Sequence, residues 1–244
     1  VIRFDHLGKI APETFDRLRR VSTATLTTVL LKHGLRNTYL TGVRPLAPHY
    51  RMVGEAVTLR YVPAREDLDT LESLADPEHP QRKLVENILP GQVLVIDARR
   101  DVRAGALGHI LATRLLRRGA AGVVTDGCYR DTPAMRELGL PAYAAGEHAA
   151  ANVTVHHAAD INVPVGCAGV LVMPGDIVAG DGEGVVVIPR HLADTVAEQA
   201  VEQEQLEEFI WAKINAGSSI VGVYPPSEAV RREYEARRRV LEGC

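Results

Sequence analysis

An α/β fold is predicted by three features of the chain. Strand-length apolar runs recur between helical segments from residue 54 to residue 188, the order expected when helices cover a sheet. Inside that series, residues 105–131 read as glycine loop, helix, tight glycine turn, buried strand and second glycine turn. Helical patterns without interleaved strands occupy both ends of the chain. No internal repeat, low-complexity tract or composition break divides the series, so residues 1–244 are expected to form one domain. Residues 63–80 would be a surface insertion and residues 191–244 a C-terminal helical extension.

Pro12 and Glu13 open a helix over 12–20, with Phe15 and Leu18 facing inward, because proline is pre-organised for a first helical turn. Ser22 caps a second helix over 23–33, striped by Leu26, Val29 and Leu30 and ended by Gly34. Its threonines are stiff at χ1 and weak helix formers, so packing must hold it. Residues 54–62 alternate apolar and polar as a strand does. The acidic, proline-punctuated stretch 63–80 carries Leu68, Leu71 and Leu74, and reads as a decorative loop in preference to a lid. A helix over 82–89 stops at Pro90-Gly91, and 92–97 is a buried strand. After the central stretch come a short helix near 133–138 and strands over 141–145 and 153–157. Further strands are expected over 169–172, 177–179 and 185–188. The D-G-E-G turn between the last two is the clearest hairpin signal, and it lacks the ligand spacing of a calcium loop. A long helix over 191–216 ends at Gly217, and a last one spans 227–241.

Hydrophobic residues make up 46% of the chain and charged ones 24%, as in soluble globular proteins. A net charge of −3 gives no footprint for nucleic acid or an anionic membrane. The arginines at 231, 232 and 237–239 alternate with Glu233 and Glu235, which suits one solvated helix face. Cys128, Cys167 and Cys244 are too few and scattered for a disulfide framework or zinc cluster, and Cys128 reads as a core or turn residue. With no signal-peptide core and no apolar run of about 18 residues, the expected setting is cytoplasmic, without a membrane partner. Nucleotide-loop motifs such as G-x-G-x-x-G and G-K-[ST] are absent.

The chemistry concentrates in residues 105–131. Gly105 and Gly108 leave backbone N–H groups free where a helix begins near Gly108, an environment suited to a carboxylate or phosphate. Arg130 and Asp131 follow the strand over 122–125, at the mouth of the sheet. A guanidinium can grip a carboxylate through two parallel hydrogen bonds, and an adjacent carboxylate can hold a hard divalent cation. Together they suit a small anionic ligand bridged to a metal. His156 and His157 are neighbours on a strand, so their rings point to opposite faces and cannot chelate one ion.

Six landmarks in order carry a family resemblance over nearly the whole chain. They are S-T-A-T-L at 22–26, V-G-E-A-V-T at 53–58, G-H-I-L-A at 108–112, G-V-V-T-D-G-C-Y-R-D at 122–131, P-G-D-I-V-A-G-D-G-E-G-V-V-V-I-P at 174–189, and the acidic helix that follows. The sequence resembles the RraA-like family. That family includes class II aldolases acting on 4-hydroxy-4-methyl-2-oxoglutarate and 4-carboxy-4-hydroxy-2-oxoadipate. The resemblance implies a swivelling β/β/α fold assembled as a homo-oligomer, trimer or hexamer, with sites between subunits. It implies that Arg130 binds a small 2-oxo acid and that Asp131 holds Mg²⁺ or Mn²⁺ largely through waters. Backbone groups of Gly108, His109, Ile110 and Leu111 would hold the substrate carboxylate. The implied activity is a divalent-metal-dependent C–C lyase, since retro-aldol cleavage and oxaloacetate decarboxylation share a pyruvate enolate. The alternative is a non-catalytic, protein-binding regulator of the ribonuclease E type, the role of the family's founding member.

Two positions depart from the family pattern. The residue twenty-one before Arg130 is commonly acidic and here is His109; the third after Asp131 is often acidic and here is Ala134. His109 is then a catalytic candidate as neutral metal ligand or proton donor, or simply a helix-start residue. Ala134 implies a weaker or differently coordinated metal. The resemblance also offers Glu204, Glu207 or Glu208 of a neighbouring subunit as a group completing the site.

Overall fold

Alternation along one strand shows where the core lies. In β3 (Gln92–Asp97) Val93 and Val95 face one apolar cluster, while Leu94 and Ile96 face another on the opposite side. The computed structural model, which describes residues 7–242, builds a mixed α/β fold around this strand. β2 (Met52–Pro63), β3, β5 (Gly122–Thr125) and β7 (Ala142–Ala144) pair in parallel in the order β7-β5-β3-β2. The long β2 accepts two antiparallel partners: β10 (Ile177–Gly180) along its start and β9 (His156–Ile161) along its end. β10 continues into the expected hairpin with β11 (Val185–Ile188). At the other edge β1 (Arg44–Pro45) pairs with β7, and Tyr39 bridges to Val186. Residues 39–45 therefore join both edges and close the sheet into a near-barrel filled by Val93, Val95, Val124, Tyr143 and Val187.

Helices cover the outside. α3 (Pro80–Asn87), α4 (His109–Arg117) and α5 (Thr132–Glu137) contribute Leu84, Leu115 and Met135, with Ile88 just after α3, to the cluster on the Leu94–Ile96 face. α1 (Pro12–Leu18), α2 (Thr23–Lys32) and α6 (Ala193–Asn215) cover the outer face of the hairpin against Val186 and Ile188. Ser22 caps α2 as expected, its Oγ accepting from the Thr25 N–H at 3.1 Å. The D-G-E-G turn is structural: buried Asp181 accepts from both the backbone N–H and the hydroxyl of Thr23, each at 2.8 Å. α7 (Glu228–Glu242) packs back onto α6 through Val230, Phe209 and Ile210. Among the described residues no helix is long and apolar enough to cross a membrane.

The structure corrects several boundaries. Residues 169–172 form no strand, because a 3-10 turn at Cys167–Gly169 precedes them and Val172 makes only an isolated bridge to Val165. The strand expected over 153–157 begins at His156, after a 3-10 turn at Asn152–Thr154. A second, three-stranded parallel sheet of β4 (Gly105–Leu107), β6 (Cys128–Tyr129) and β8 (Gly146–Glu147) was not foreseen, its strands being too short to show a period. Cys128 and Cys167 are buried and free, as expected of core residues; Cys244 lies outside the described residues.

One buried histidine ties stability to pH. His156 is 1% exposed and stacks on Tyr61, ring centroids 5.0 Å apart. Burial first, then the charge of Arg99, pushes its pKa from 6.5 down to about 4. The unfolded chain takes up this proton near pH 6.5 and the folded chain only near 4. Stability is thus full above this window and falls as pH drops through it, by on the order of 3 kcal/mol. His156→Phe, which preserves the ring stack, is expected to reduce the fall in unfolding free energy, measured by urea titration at pH 7 and pH 4, by about that amount.

Candidate active site

The small sheet brings the separated motifs together. β4 and β6 run parallel, and the Arg130 N–H donates to the Leu107 carbonyl at 3.0 Å, so Arg130 leaves β6 beside the start of α4. Gly105 and Gly108 permit this approach. A Cβ at Gly105 would lie 2.8 Å from the Arg130 backbone nitrogen; one at Gly108 would lie 2.8 Å from both Arg130 Cγ and Asp131 Oδ2. Asp131 occupies the left-handed region, φ 56° and ψ 33°, at the N-cap position of α5. Its side chain does not cap that helix, and turns instead toward α4.

There it meets His109. Nδ1 of His109 lies 3.0 Å from Asp131 Oδ2. An ionised carboxylate only accepts, so Nδ1 carries the proton and a neutral ring presents Nε2 as a lone pair. This hydrogen bond foremost, aided by the charge of Arg130, holds the Asp131 carboxyl below the usual aspartate range against a desolvation effect of opposite sign. Arg130 Nε stands 3.6 Å from the same oxygen and is buried without a hydrogen-bond partner. α4 begins at Gly108 with no side-chain cap, its first intrahelical bond running from Ala112 N–H to the Gly108 carbonyl. The N–H groups of Ile110 and Leu111 therefore lack intrahelical acceptors.

Gly108, His109, Ile110, Leu111, Arg130 and Asp131 all line one cleft of about 380 Å³. A larger groove of about 520 Å³ between α2, α6 and α7 lacks this convergence of helix start, guanidinium and carboxylate, and the smaller cleft is the better candidate. Asp131 supplies the cleft's one carboxylate among the described residues. Glu204, Glu207 and Glu208 do not line it from within the chain: Glu204 accepts from Ser22 Oγ at 3.3 Å and Glu207 from Gln203 Nε2 at 2.6 Å. Ala134, on α5, does not line it either.

The insertion is not decoration. Leu71 and Leu74 form an outer wall of the cleft, around a 3-10 turn at Glu72–Ala75. Buried Asp69 folds the segment back, accepting from the Arg65 N–H and from His157 Nδ1, both at 2.8 Å. Gln81, Arg82 and Asn152 complete the lining, and none was anticipated. For Arg82 a signal existed: a cation in the first turn of a helix opposes the macrodipole, so its place there calls for another reason.

A family model described as RraA-like, Aldolase/RraA, matches residues 23–187. The chain belongs to the RraA-like family. A relative from Halalkalibacterium halodurans, named putative 4-hydroxy-4-methyl-2-oxoglutarate aldolase, is 32% identical over 175 residues, spanning 72% of this chain and 77% of its own. Streptomyces coelicolor RraAS2, described as an unusual member of the RNase ES inhibitor RraA protein family, superposes with a TM-score of 0.73 at 36% identity, over 82% of this chain and 96% of its own. An uncharacterised protein of Pseudomonas syringae superposes with a TM-score of 0.79 at 26% identity, over 91% of this chain and 97% of its own. The α/β architecture is thus an RraA-like fold, and the cleft lies within the segment matched by the family model.

Proposed function

We propose that the chain is a divalent-metal-dependent C–C lyase acting on a 2-oxo acid, by retro-aldol cleavage or oxaloacetate-type decarboxylation. One observation carries this reading: Arg130, the Asp131–His109 pair and the uncapped start of α4 converge on a single cleft. The aldolase-named relative supports the same class.

The donor set suits Mg²⁺ or Mn²⁺. Among the described residues no group of three or more His, Cys, Asp or Glu side chains could cage an ion. Mg²⁺ commonly keeps several waters and uses one or two carboxylates plus substrate oxygens, which Asp131 with a 2-oxo acid would provide. Bound there, the ion supplies Lewis acidity to the 2-oxo oxygen, where negative charge develops. Arg130 and the N–H groups of Ile110 and Leu111 bind the C1 carboxylate and fix the C3–C4 bond in the cleft. In cleavage that bond breaks and its electron pair goes to C3. His109 Nε2, oriented by Asp131, takes the proton of the C4 hydroxyl and returns one to C3, giving pyruvate and a carbonyl product. A trimer or hexamer would allow a neighbour's Glu204, Glu207 or Glu208 to approach the same cleft.

Pyruvate release from oxaloacetate, with Mg²⁺ or Mn²⁺ and then with chelator, tests the reading; turnover unaffected by chelator would overturn its metal dependence. Arg130→Lys keeps the charge but loses the planar fork, and should lower kcat/KM about ten- to a hundredfold, chiefly through KM. The similarity to RraAS2 favours a second reading, a non-catalytic regulator of the ribonuclease E type. Absence of turnover together with absence of metal binding would select it.

A further inference from the structure

The acidic insertion shows the cleft none of its acids. Residues 63–80 carry six carboxylates, yet only Leu71 and Leu74 of that stretch line the cleft. The segment is tied down so that these two stay there. Buried Asp69 anchors one side of the turn through the Arg65 N–H and His157. Ser73 closes the turn itself: its Oγ donates to the Thr70 carbonyl at 2.8 Å, and its N–H to Thr70 Oγ1 at 3.2 Å. Arg82 Nε fastens the other side, donating to the Leu74 carbonyl at 3.1 Å. From α4, Ile110 and Leu111 join the same lining. Leu74 and Leu111 are half-buried, whereas Leu71 is 69% exposed and Ile110 70%. Single exposed leucines on a surface need no explanation. Two such side chains lining one cleft, backed by two more, form a hydrocarbon wall held firmly in water, which becomes favourable only when something covers it.

Ile110 indicates what that is. Its N–H is free at the start of α4, where an anion is favoured, while its side chain belongs to the apolar lining. One residue thus joins the two ends of the cleft. A ligand held by its carboxylate at the helix start meets the wall with the part of its chain that follows. We infer that Leu71, Leu74, Ile110 and Leu111 form an apolar subsite, so that the ligand is a 2-oxo acid ending in a hydrocarbon group. This departs from the diacid in the name of the Halalkalibacterium halodurans relative. Cleavage of the C3–C4 bond in such a 4-hydroxy-2-oxo acid gives pyruvate and an aliphatic aldehyde, the hydroxyl proton leaving and one proton returning to C3. The inference rests on the lyase reading for the 2-oxo acid end; the apolar subsite rests on the wall alone.

The test uses unreactive 2-oxo acids of growing chain length: pyruvate, 2-oxobutanoate, 2-oxopentanoate and 2-oxohexanoate, with 2-oxoglutarate as the polar-ended counterpart of the five-carbon acid. Affinities are measured by calorimetry on the full chain with Mg²⁺ present, for wild type, Leu71→Ser and Leu71→Met. In wild type each added methylene should tighten binding about fourfold, the value for burying one CH₂. 2-Oxoglutarate should bind more weakly than 2-oxopentanoate. Leu71→Ser should weaken 2-oxohexanoate about tenfold with little effect on pyruvate, and Leu71→Met should keep the wild-type slope. A flat series, or 2-oxoglutarate binding tighter than 2-oxopentanoate, overturns the inference. So does a Leu71→Ser variant that weakens every acid alike, as a purely structural leucine would. A flat series with self-association that Leu71→Ser abolishes also overturns it, and gives the wall to a second copy of the chain. A rising series without metal-dependent pyruvate release from oxaloacetate would retain the subsite and remove the lyase reading; a flat series with that release would do the reverse.

Discussion

Replacing Asp131 by asparagine should abolish metal-stimulated pyruvate release and leave the fold in place. Asparagine is nearly isosteric and tolerates the left-handed conformation that Asp131 adopts at φ 56°. The backbone bond from Met135 N–H to the Asp131 carbonyl, which starts α5, is untouched. The amide oxygen can still accept from His109 Nδ1, so the ring keeps its orientation. What disappears is the cleft's one carboxylate charge among the described residues, and with it the proposed seat of the cation. Loss of an electrostatic contribution aimed at the developing charge costs on the order of 3–4 kcal/mol, or about 10²–10³ in kcat. Titration of the rate with Mg²⁺ or Mn²⁺, beside a thermal unfolding curve, measures both halves of the expectation. Retained metal stimulation at wild-type strength would remove Asp131 from the metal site.

Gly108→Ala should cost nearly as much activity and almost no stability. At φ −124° and ψ 179° the backbone is extended, so alanine introduces no conformational strain. The added methyl meets only side-chain atoms of the site: Arg130 Cγ at 2.8 Å, Asp131 Oδ2 at 2.8 Å and Arg130 Cδ at 3.3 Å. Both side chains must move, and a displacement of about 1 Å in a positioning group can lower the rate about 10²-fold. The unfolded chain meanwhile loses freedom, which favours folding by roughly 0.4–1 kcal/mol where the native conformation suits alanine. A variant with an unchanged or slightly raised thermal midpoint and a kcat/KM lower by about 10² would match. Full activity would mean that Arg130 and Asp131 do not act from the positions described.

How far the sequence foretold this geometry depended on the length of each pattern. Residues 92–97 carry a continuous apolar run after Pro90-Gly91, and the D-G-E-G turn marks the β10–β11 hairpin; both appear as read. Arg130, Asp131 and the start of α4 were legible because glycine spacing and charge mark them locally. β4, β6 and β8 span only two or three residues each, too few for a period, although they carry Arg130 to α4. Residues 169–172 show the opposite failure: four residues of strand-like composition follow Ala168, whose φ of 50° turns the chain out of the sheet. The place of residues 63–80 at the cleft is not visible in the sequence, because leucines on a loop look alike whatever they cover. Asp69, bonded to His157, folds the segment back, and Leu71 and Leu74 line the cleft.

The two walls of that cleft have different origins in the chain. Arg130, Asp131 and His109 are held by short strands and by glycines where a side chain would displace them, so that wall has little room for substitution without disturbing the site. Residues 63–80 hang between β2 and α3, and can change in length or composition without shifting Gly105, Gly108 or Arg130. On the proposed lyase reading, chemistry and selectivity would be carried by separable parts of one polypeptide. On that reading, exchange of the insertion alone would offer a route for such a scaffold to acquire new substrates while the wall of Arg130, Asp131 and His109 stays as it is.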